Sequence, residues 1–431
     1  MRIAIYTLGC KVNQYETQAM ETILRQRGHE LVDFDDAADA YIINTCTVTA
    51  MSDSKSRQKI HRARRKSPDA VVAVCGCSAQ TDPDSYEKMD EIDLIYGTGD
   101  KMQFLDDLEQ MVHGRQKVNV DAVMRRRTFE FLPAGGMDGR TRCMLKVEDG
   151  CVNFCTYCAI PYARGPVRSL PLEQAVSETS RLAEEGYQEL VFTGIEISSW
   201  GHDLKNGLSL IDLIEAVCAA APNMRIRLGS LEPRTITEDF CRRAAKLPNL
   251  CPHFHLSMQS GCDATLKRMN RKYDTARYMQ SCDLLRQYFD DPAITTDLIV
   301  GFPGETEEEF QQTLSFIRRA AFSSMHIFPY SQRKGTPACD FPDQISKAVK
   351  HTRAQQAAAI AEEMEQTYLN RQPGKTVAVL FEEEKDGLWS GHTPNYLEVR
   401  AESAENLHNQ LRQVTLTTID GTHLIGKVAE A

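Results

Sequence analysis

The feature that most constrains this chain is the alternation, through most of its length, of short apolar runs with amphipathic stretches of helical period. Such a chain buries its strands in parallel sheets and uses the helices as crossovers. Over residues 1–117, strands are expected at 2–8, 40–45 and 70–75, with helices near 14–27 and 54–66, which predicts an N-terminal α/β parallel-sheet domain. Residues 118–140 carry Arg125-Arg126-Arg127 and Pro133-Ala134-Gly135-Gly136 without a sustained period and read as a linker. A second alternating series follows, with strands expected at 143–148, 189–196, 225–231, 253–260, 294–302 and 325–331. Six βα units predict an incomplete parallel (βα)6 barrel over residues 141–370, leaving through a helix at 345–370 that Pro373-Gly374 stops. The last stretch, 371–431, shows five short β patterns at 375–382, 388–392, 396–400, 413–418 and 423–428. Turns at Asp386-Gly387 and Asp420-Gly421 favour closing them into a small all-β barrel.

In parallel sheets, chemistry sits where the strands end at their carboxyl side, so residues just beyond each strand are the candidates. Composition narrows the class. With 42% hydrophobic and 26% charged residues the chain is an ordinary globular mixture. Its longest apolar runs fall far short of the roughly 18 residues a membrane helix needs. No long apolar region follows Met1-Arg2, so a cytoplasmic address and no membrane partner are expected. Fourteen cysteines in such a compartment read as metal ligands or catalytic groups sooner than as disulfides.

Cys151, Cys155 and Cys158 form C-x3-C-x2-C directly after the first expected barrel strand. Three thiolates on one loop can hold three irons of a cubane cluster and leave the fourth iron open. The amino and carboxylate end of S-adenosylmethionine suits that iron, placing its sulfonium where a reduced cluster can inject an electron and release a 5′-deoxyadenosyl radical. Zinc would want a fourth protein ligand at comparable spacing, and none follows closely. In the N-terminal domain Cys10, Cys46 and Cys77 each lie just beyond an apolar strand, so one sheet edge would gather all three. Cys75 competes for the third place, and three ordinary strand-end thiols remain the plainer reading of the pattern. Glycine before Cys10 and Cys77 favours Cys77. Cys143, Cys218, Cys241, Cys251, Cys262, Cys282 and Cys339 read as packing residues.

With these elements in view the sequence resembles the radical S-adenosylmethionine methylthiotransferases. The resemblance rests on Thr7-Leu8-Gly9-Cys10-Lys11-Val12-Asn13-Gln14-Tyr15-Glu16, Asn44-Thr45-Cys46, Gly76-Cys77, Tyr157 before the third loop cysteine, Ile160-Pro161-Tyr162-Ala163-Arg164-Gly165 and Asp297-Leu298-Ile299-Val300-Gly301-Phe302-Pro303-Gly304-Glu305. It implies a cluster-bearing N-terminal domain, a radical barrel and a C-terminal TRAM barrel, with two [4Fe-4S] clusters and S-adenosylmethionine as cofactors. Cys10, Cys46 and Cys77 become ligands of the second cluster. The run Lys11 to Glu16 resembles the MtaB type, which methylthiolates N6-threonylcarbamoyladenosine at tRNA position 37. The implied partners are tRNA and an electron donor such as flavodoxin or ferredoxin, and the sulfur donor is left unassigned. The alternatives are the same chemistry on isopentenyladenosine or a ribosomal protein and, in another class, an RNA-binding iron–sulfur electron-transfer protein.

By the same resemblance the cofactor should lie near Tyr157, Thr193, Gly194, Ser230, Glu232, Gln259, Thr296, Asp297 and Phe328. Glu196 departs from the Asn or Gln common in relatives. No catalytic acid or base is assigned. Residues 55–66 carry seven Lys or Arg and no acid, which makes Lys55, Arg57, Arg62, Arg64, Arg65 and Lys66 candidates for RNA phosphates, with a solvated face as the equal alternative. Arg125-Arg126-Arg127 is a weaker candidate. The C-terminal barrel holds six Lys or Arg against nine Asp or Glu, so any RNA contact there must use shape and aromatics such as Trp389 and Tyr396.

Overall fold

The computed structural model describes residues 1–47, 50–133, 135 and 141–429. Six parallel strands form the first sheet in the order Glu30–Val32, Arg2–Thr7, Ala40–Thr45, Val71–Gly76, Leu94–Tyr96, Lys117–Asn119. Every residue of its two central strands is buried, as expected of a parallel sheet covered on both faces. The pleat divides them. Tyr41, Ile43, Val72 and Val74 pack with Ile60 and Ala63 of the helix at residues 50–66, while Ile42, Ala73 and Cys75 pack with Tyr15, Ala19 and Met20 of helix Lys11–Gln26. The three shortest strands, Glu30–Val32, Leu94–Tyr96 and Lys117–Asn119, were missed in the sequence because three residues are too few to show a period.

The expected linker begins inside the edge strand Lys117–Asn119 and continues through a short turn at Val123–Arg125. Residues 134 and 136–140 of that stretch lie outside the described residues.

All barrel strands are parallel. Arg142–Lys146, Glu189–Thr193 and Arg225–Arg227 make one sheet; Ser230–Leu231, His253–Leu256, Ala293–Val300 and Ser324–Pro329 make another. The strand expected at 225–231 is therefore two, broken at Leu228-Gly229, and passes the chain from one sheet to the next. Among the described residues the outermost strands each have a single neighbour, so the barrel is open. Leu190, Phe192, Ile226, Phe254, Leu256 and Leu298 face the helices. Alternate positions, including Arg142, Glu189, Arg227, His253 and Asp297, fall on the opposite face and give the lumen a polar lining.

Helix Lys347–Leu369 packs on Ser324–Pro329 and helix Glu307–Ala320. Five strands then close a small barrel around Val379, Phe381, Val399, Val414, Leu416 and Leu424. Trp389 belongs to that core, which corrects its expected role as an RNA-facing aromatic. Tyr396, at 40% exposure, remains at the surface. No helix among the described residues is long and apolar enough to cross a membrane.

Candidate functional site

Cys151, Cys155 and Cys158 lie on the loop after strand Glu148–Asp149. Gly150 makes the turn possible: its φ is 100°, and a Cβ there would stand 2.1 Å from the Pro166 carbonyl oxygen. The Cys151 N–H donates to the Gly165 carbonyl at 2.9 Å and the Cys158 N–H to that of Cys155 at 2.9 Å. The Arg271 guanidinium lies 3.2 Å from the Cys155 sulfur, and the Asn153 N–H 3.5 Å from that of Cys151. Burial pushes the Cys158 thiol up to about 12 and raises that of Cys151 as well. These thiols give up their protons to a metal, and Arg271 would balance the resulting charge.

The second set converges as the parallel sheet requires, because Cys10, Cys46 and Cys77 follow neighbouring strands. At Gly9 the φ is 111°, and an added Cβ would lie 2.8 Å from the Cys46 Cβ and sulfur, so only glycine lets this loop rest on Cys46. Burial pushes Cys77 up to about 12, with Arg164 pulling it down and the Cys10 and Cys46 thiols close enough to raise it further. Cys75 instead points into the apolar core on the Lys11–Gln26 side of the sheet. No three described His, Cys, Asp or Glu side chains converge on a single-ion site. A cubane asks for something else, since each cysteine takes a different iron and the sulfurs stand apart. The donor chemistry and the nearby cations, Arg271 and Arg164, fit such a group in both places.

A buried ion network joins the two sets. Arg164, wholly buried, pairs with Glu16 and donates to Asn13 Oδ1 at 2.7 Å, while Lys146 reaches Glu16 at 3.3 Å. Asp149 takes Lys146 at 3.4 Å, Arg164 at 3.4 Å and Arg168 at 3.2 Å. Burial alone would raise Glu16 and Asp149; the surrounding cations outweigh it and hold both below the usual carboxylate range. Glu148, lacking such partners, is raised well above that range by burial.

Tyr157, Gln259, Asp297 and Phe328 line one cavity of about 300 Å³ with Cys158. Gln259 holds a φ of 68° while its N–H donates to the Asp297 carbonyl at 2.9 Å, a left-handed conformation uncommon outside glycine. Thr47 and Arg333, which the sequence reading missed, also line this cavity. Arg333 donates to the Thr47 hydroxyl at 2.8 Å and pairs with Asp53 at 2.7 Å, so the first sheet's loops wall the barrel's cavity. Both follow strand ends, the rule that located the cysteines.

The other expected cofactor residues disperse. Glu232 lines a separate cavity of about 490 Å³ with Asn153 and Glu196, and accepts from the Arg234 N–H and Nε. Burial pushes the Glu196 carboxyl up to about 7 despite Arg271. Thr193 is buried with its hydroxyl unpartnered among the described residues. At Gly194 a Cβ would meet Ile197 at 2.7 Å. Ser230 is exposed. Thr296 is a correction: fully buried, its hydroxyl is spent on Leu256, Met258 and Tyr278, so it holds strands together.

On the basic helix Lys55, Arg57, Arg62, Arg65 and Lys66 are exposed, although Arg62 pairs with Asp35. Arg64 is a second correction, since its guanidinium donates to the Pro68, Ala70 and Glu91 carbonyls and pairs with Asp93 at 2.7 Å. Arg126 is likewise committed, to Asp121, Thr98 and Gln80.

Comparison with known proteins agrees with this architecture. Residues 2–97 match a family described as "Uncharacterized protein family UPF0004", and residues 145–317 match the Radical SAM superfamily. The chain is 38% identical to the threonylcarbamoyladenosine tRNA methylthiotransferase MtaB of Bacillus subtilis (strain 168), covering 96% of this chain and 93% of that one. It is 36% identical to the protein of the same name from Aquifex aeolicus (strain VF5), over 96% and 99%. A tRNA-2-methylthio-N(6)-dimethylallyladenosine synthase of Caldicellulosiruptor saccharolyticus is 31% identical over 98% and 92%. Among solved structures, the radical S-adenosylmethionine methyltransferase TsrM of Kitasatospora setae shares the fold at a TM-score of 0.56 and 17% identity, covering 78% of this chain and 77% of that chain. Full-length relatives at this identity, joined to two sets of strand-end thiols, establish that the chain belongs to the methylthiotransferase family of radical S-adenosylmethionine enzymes, whose cofactors are S-adenosylmethionine and [4Fe-4S] clusters.

Proposed function

We propose that this protein places a methylthio group on C2 of N6-threonylcarbamoyladenosine at position 37 of tRNA, and that it works in the cytoplasm with a flavodoxin or ferredoxin as electron donor. The observation that carries this reading is the pair of cysteine sets, Cys151, Cys155 and Cys158 on one loop and Cys10, Cys46 and Cys77 at one sheet edge, in a chain whose full-length relatives bear that name.

Bound at these thiols, [4Fe-4S] clusters with S-adenosylmethionine would supply the one-electron chemistry that an unactivated C–H bond requires. The chain's own residues prepare the place for it. Arg271 sets a positive charge against Cys155, and Arg164 does so near Cys77. Ile160, Ile299 and Phe328 give the 300 Å³ cavity apolar walls, while Gln259 and Asp297 offer the polar atoms that a ribose or an amino-acid moiety needs. Thr47 from the first sheet and Arg333 from the barrel join by a hydrogen bond on one wall of that cavity.

Mass spectrometry of tRNA nucleosides tests the reading. Cells lacking the protein should lose 2-methylthio-N6-threonylcarbamoyladenosine and accumulate its unthiolated precursor. Loss of the 2-methylthio form of the dimethylallyl nucleoside instead, or an unchanged tRNA profile, would refute it.

A further inference from the structure

A third cavity, of about 490 Å³, opens beside Cys10 and draws its walls from all three parts of the chain. Lys11 and Gln14 enter from the start of helix Lys11–Gln26, Arg142 and Arg227 from the lumen face of the barrel, and Glu382 and Tyr396 from the C-terminal barrel. Its guanidiniums are already engaged. Arg227 forms a two-point pair with Glu189 at 2.7 and 2.9 Å and donates to the Pro394 carbonyl at 2.8 Å. Arg225 shares Glu189 at 2.9 Å, and Arg142 pairs with Glu382 beside His392. Tyr396 is fixed by stacking on His253 and His392, at ring distances of 5.3 and 4.7 Å.

Three polar groups are left over. Among the described residues the Lys11 ammonium, the Gln14 side-chain amide and the Tyr396 hydroxyl have no hydrogen-bond or ion-pair partner, and all three residues line this one cavity. Lys11, Arg142, Arg225 and Arg227 bring four positive charges against Glu189, Glu382 and the exposed rim residue Glu383, while burial keeps His253 neutral. The positive excess resides on Lys11. Lys11 and Gln14 are exposed and Tyr396 is 40% exposed, so in the free protein these groups are hydrated and stand open to an incoming anion and its neighbouring oxygens.

We propose that this cavity is the subsite for the threonyl group of the substrate nucleoside, with Lys11 taking its carboxylate and Gln14 and Tyr396 its remaining oxygens. The assignment rests on the function proposed above and sharpens it. A threonylcarbamoyl group carries a carboxylate and a hydroxyl, whereas a dimethylallyl group has neither and would strip water from Lys11 without replacing it. Lys11 and Gln14 also lie within the short run on which the sequence resemblance to one branch of the family rested.

An RNA phosphate presents the same anionic chemistry, so the test compares two forms of one tRNA, carrying threonylcarbamoyladenosine or plain adenosine at position 37. Binding of each to reconstituted full-length protein is measured for the wild type, Lys11→Gln, Lys11→Arg and Tyr396→Phe. Circular dichroism and iron content confirm that each variant is folded and loaded. Lys11→Gln should weaken binding of the modified tRNA roughly ten- to a hundredfold, the range for losing a charge-assisted hydrogen bond, and leave plain tRNA within about twofold. Lys11→Arg should retain most of the preference, and Tyr396→Phe should lose roughly two- to tenfold on the modified form alone. Equal losses on both tRNAs would assign Lys11 to a phosphate and overturn the proposal, as would no loss on either. A wild type that methylthiolates a different nucleoside would refute the function itself; one that modifies the threonylcarbamoyl tRNA with Lys11→Gln binding unchanged would refute only the subsite.

Discussion

Replacing Arg164 by Met removes one of the two side chains, with Lys146, that touch both halves of the buried ion network. The guanidinium is fully buried and bridges Glu16 and Asn13 of the helix after Cys10 to Asp149, two residues before Cys151. Breaking a buried pair by deleting one partner costs about 3–5 kcal/mol when the survivor is left alone. Here the survivors are not alone, because Glu16 keeps Lys146 at 3.3 Å and Asp149 keeps Lys146 and Arg168 at 3.4 and 3.2 Å. The lower end of that range applies, about 3 kcal/mol, or roughly a hundredfold in the unfolding equilibrium. Urea unfolding of the apo chain, followed by circular dichroism, should show that loss for Arg164→Met. Adding Glu16→Gln should return part of it, with a coupling of about 1–3 kcal/mol. The transition should also broaden, since residues 11–26 lose a principal tie to the barrel. A loss within about 0.5 kcal/mol for the single variant, or additivity of the two within that margin, would refute the idea that this network fastens the first sheet to the barrel.

Three further outcomes are expected. Reconstituted protein should bind on the order of eight irons per chain, falling by about half when either Cys10, Cys46 and Cys77 or Cys151, Cys155 and Cys158 become Ala. Cys75→Ala should leave iron unchanged, and iron loss from that variant would move the third ligand to Cys75. Changing Lys55, Arg57, Arg65 and Lys66 to Ala should lower the salt slope of tRNA binding by roughly 0.7–0.9 for each phosphate no longer neutralised, whereas Arg64→Ala should cost stability instead; an unchanged slope returns the helix to a solvated face. Burial opposes ionisation of Glu189, but Arg227 and Arg225 outweigh it and bring the carboxyl down to about 2. A value depressed in the folded state stabilises the fold above the unfolded value of about 4.3 and is lost as pH falls from there through about 2. Thermal melts between pH 5 and 3 should therefore fall more steeply for the wild type than for Glu189→Gln, and parallel slopes would contradict this pairing.

What could be seen in the sequence was local or periodic. Strands Ala40–Thr45, Leu388–His392 and His423–Val428 have the expected bounds because apolar pattern and turn residues agree there. The gathering of Cys10, Cys46 and Cys77 was visible because a parallel sheet puts successive strand ends on one edge, whatever the intervening length. The fate of individual polar side chains was not. Arg64 looked like a phosphate contact until Asp93, Glu91 and two turn carbonyls surrounded it, and Thr296 looked like a ligand until Leu256 and Met258 at a strand end and Tyr278 of a helix claimed its hydroxyl. Arg333 meets Thr47 across 286 positions, and no spacing rule reaches that far.

The network around Glu16 also has a consequence for how the chain is made. The first sheet is complete once Lys117–Asn119 has joined its edge, yet two of the cations that Glu16 needs, Lys146 and Arg164, are still to be synthesised. At about 5–20 residues per second, several seconds separate the end of that sheet from Arg164. During that interval a nascent first sheet carries a hydrated glutamate on a face that will later be dry. The carboxylate is cheap while water reaches it and becomes costly only when the barrel arrives without its cations in place. An arrangement that buried this face without Lys146 and Arg164 against Glu16 would leave the carboxylate dry and unpaired, and is disfavoured against the one in which they meet it.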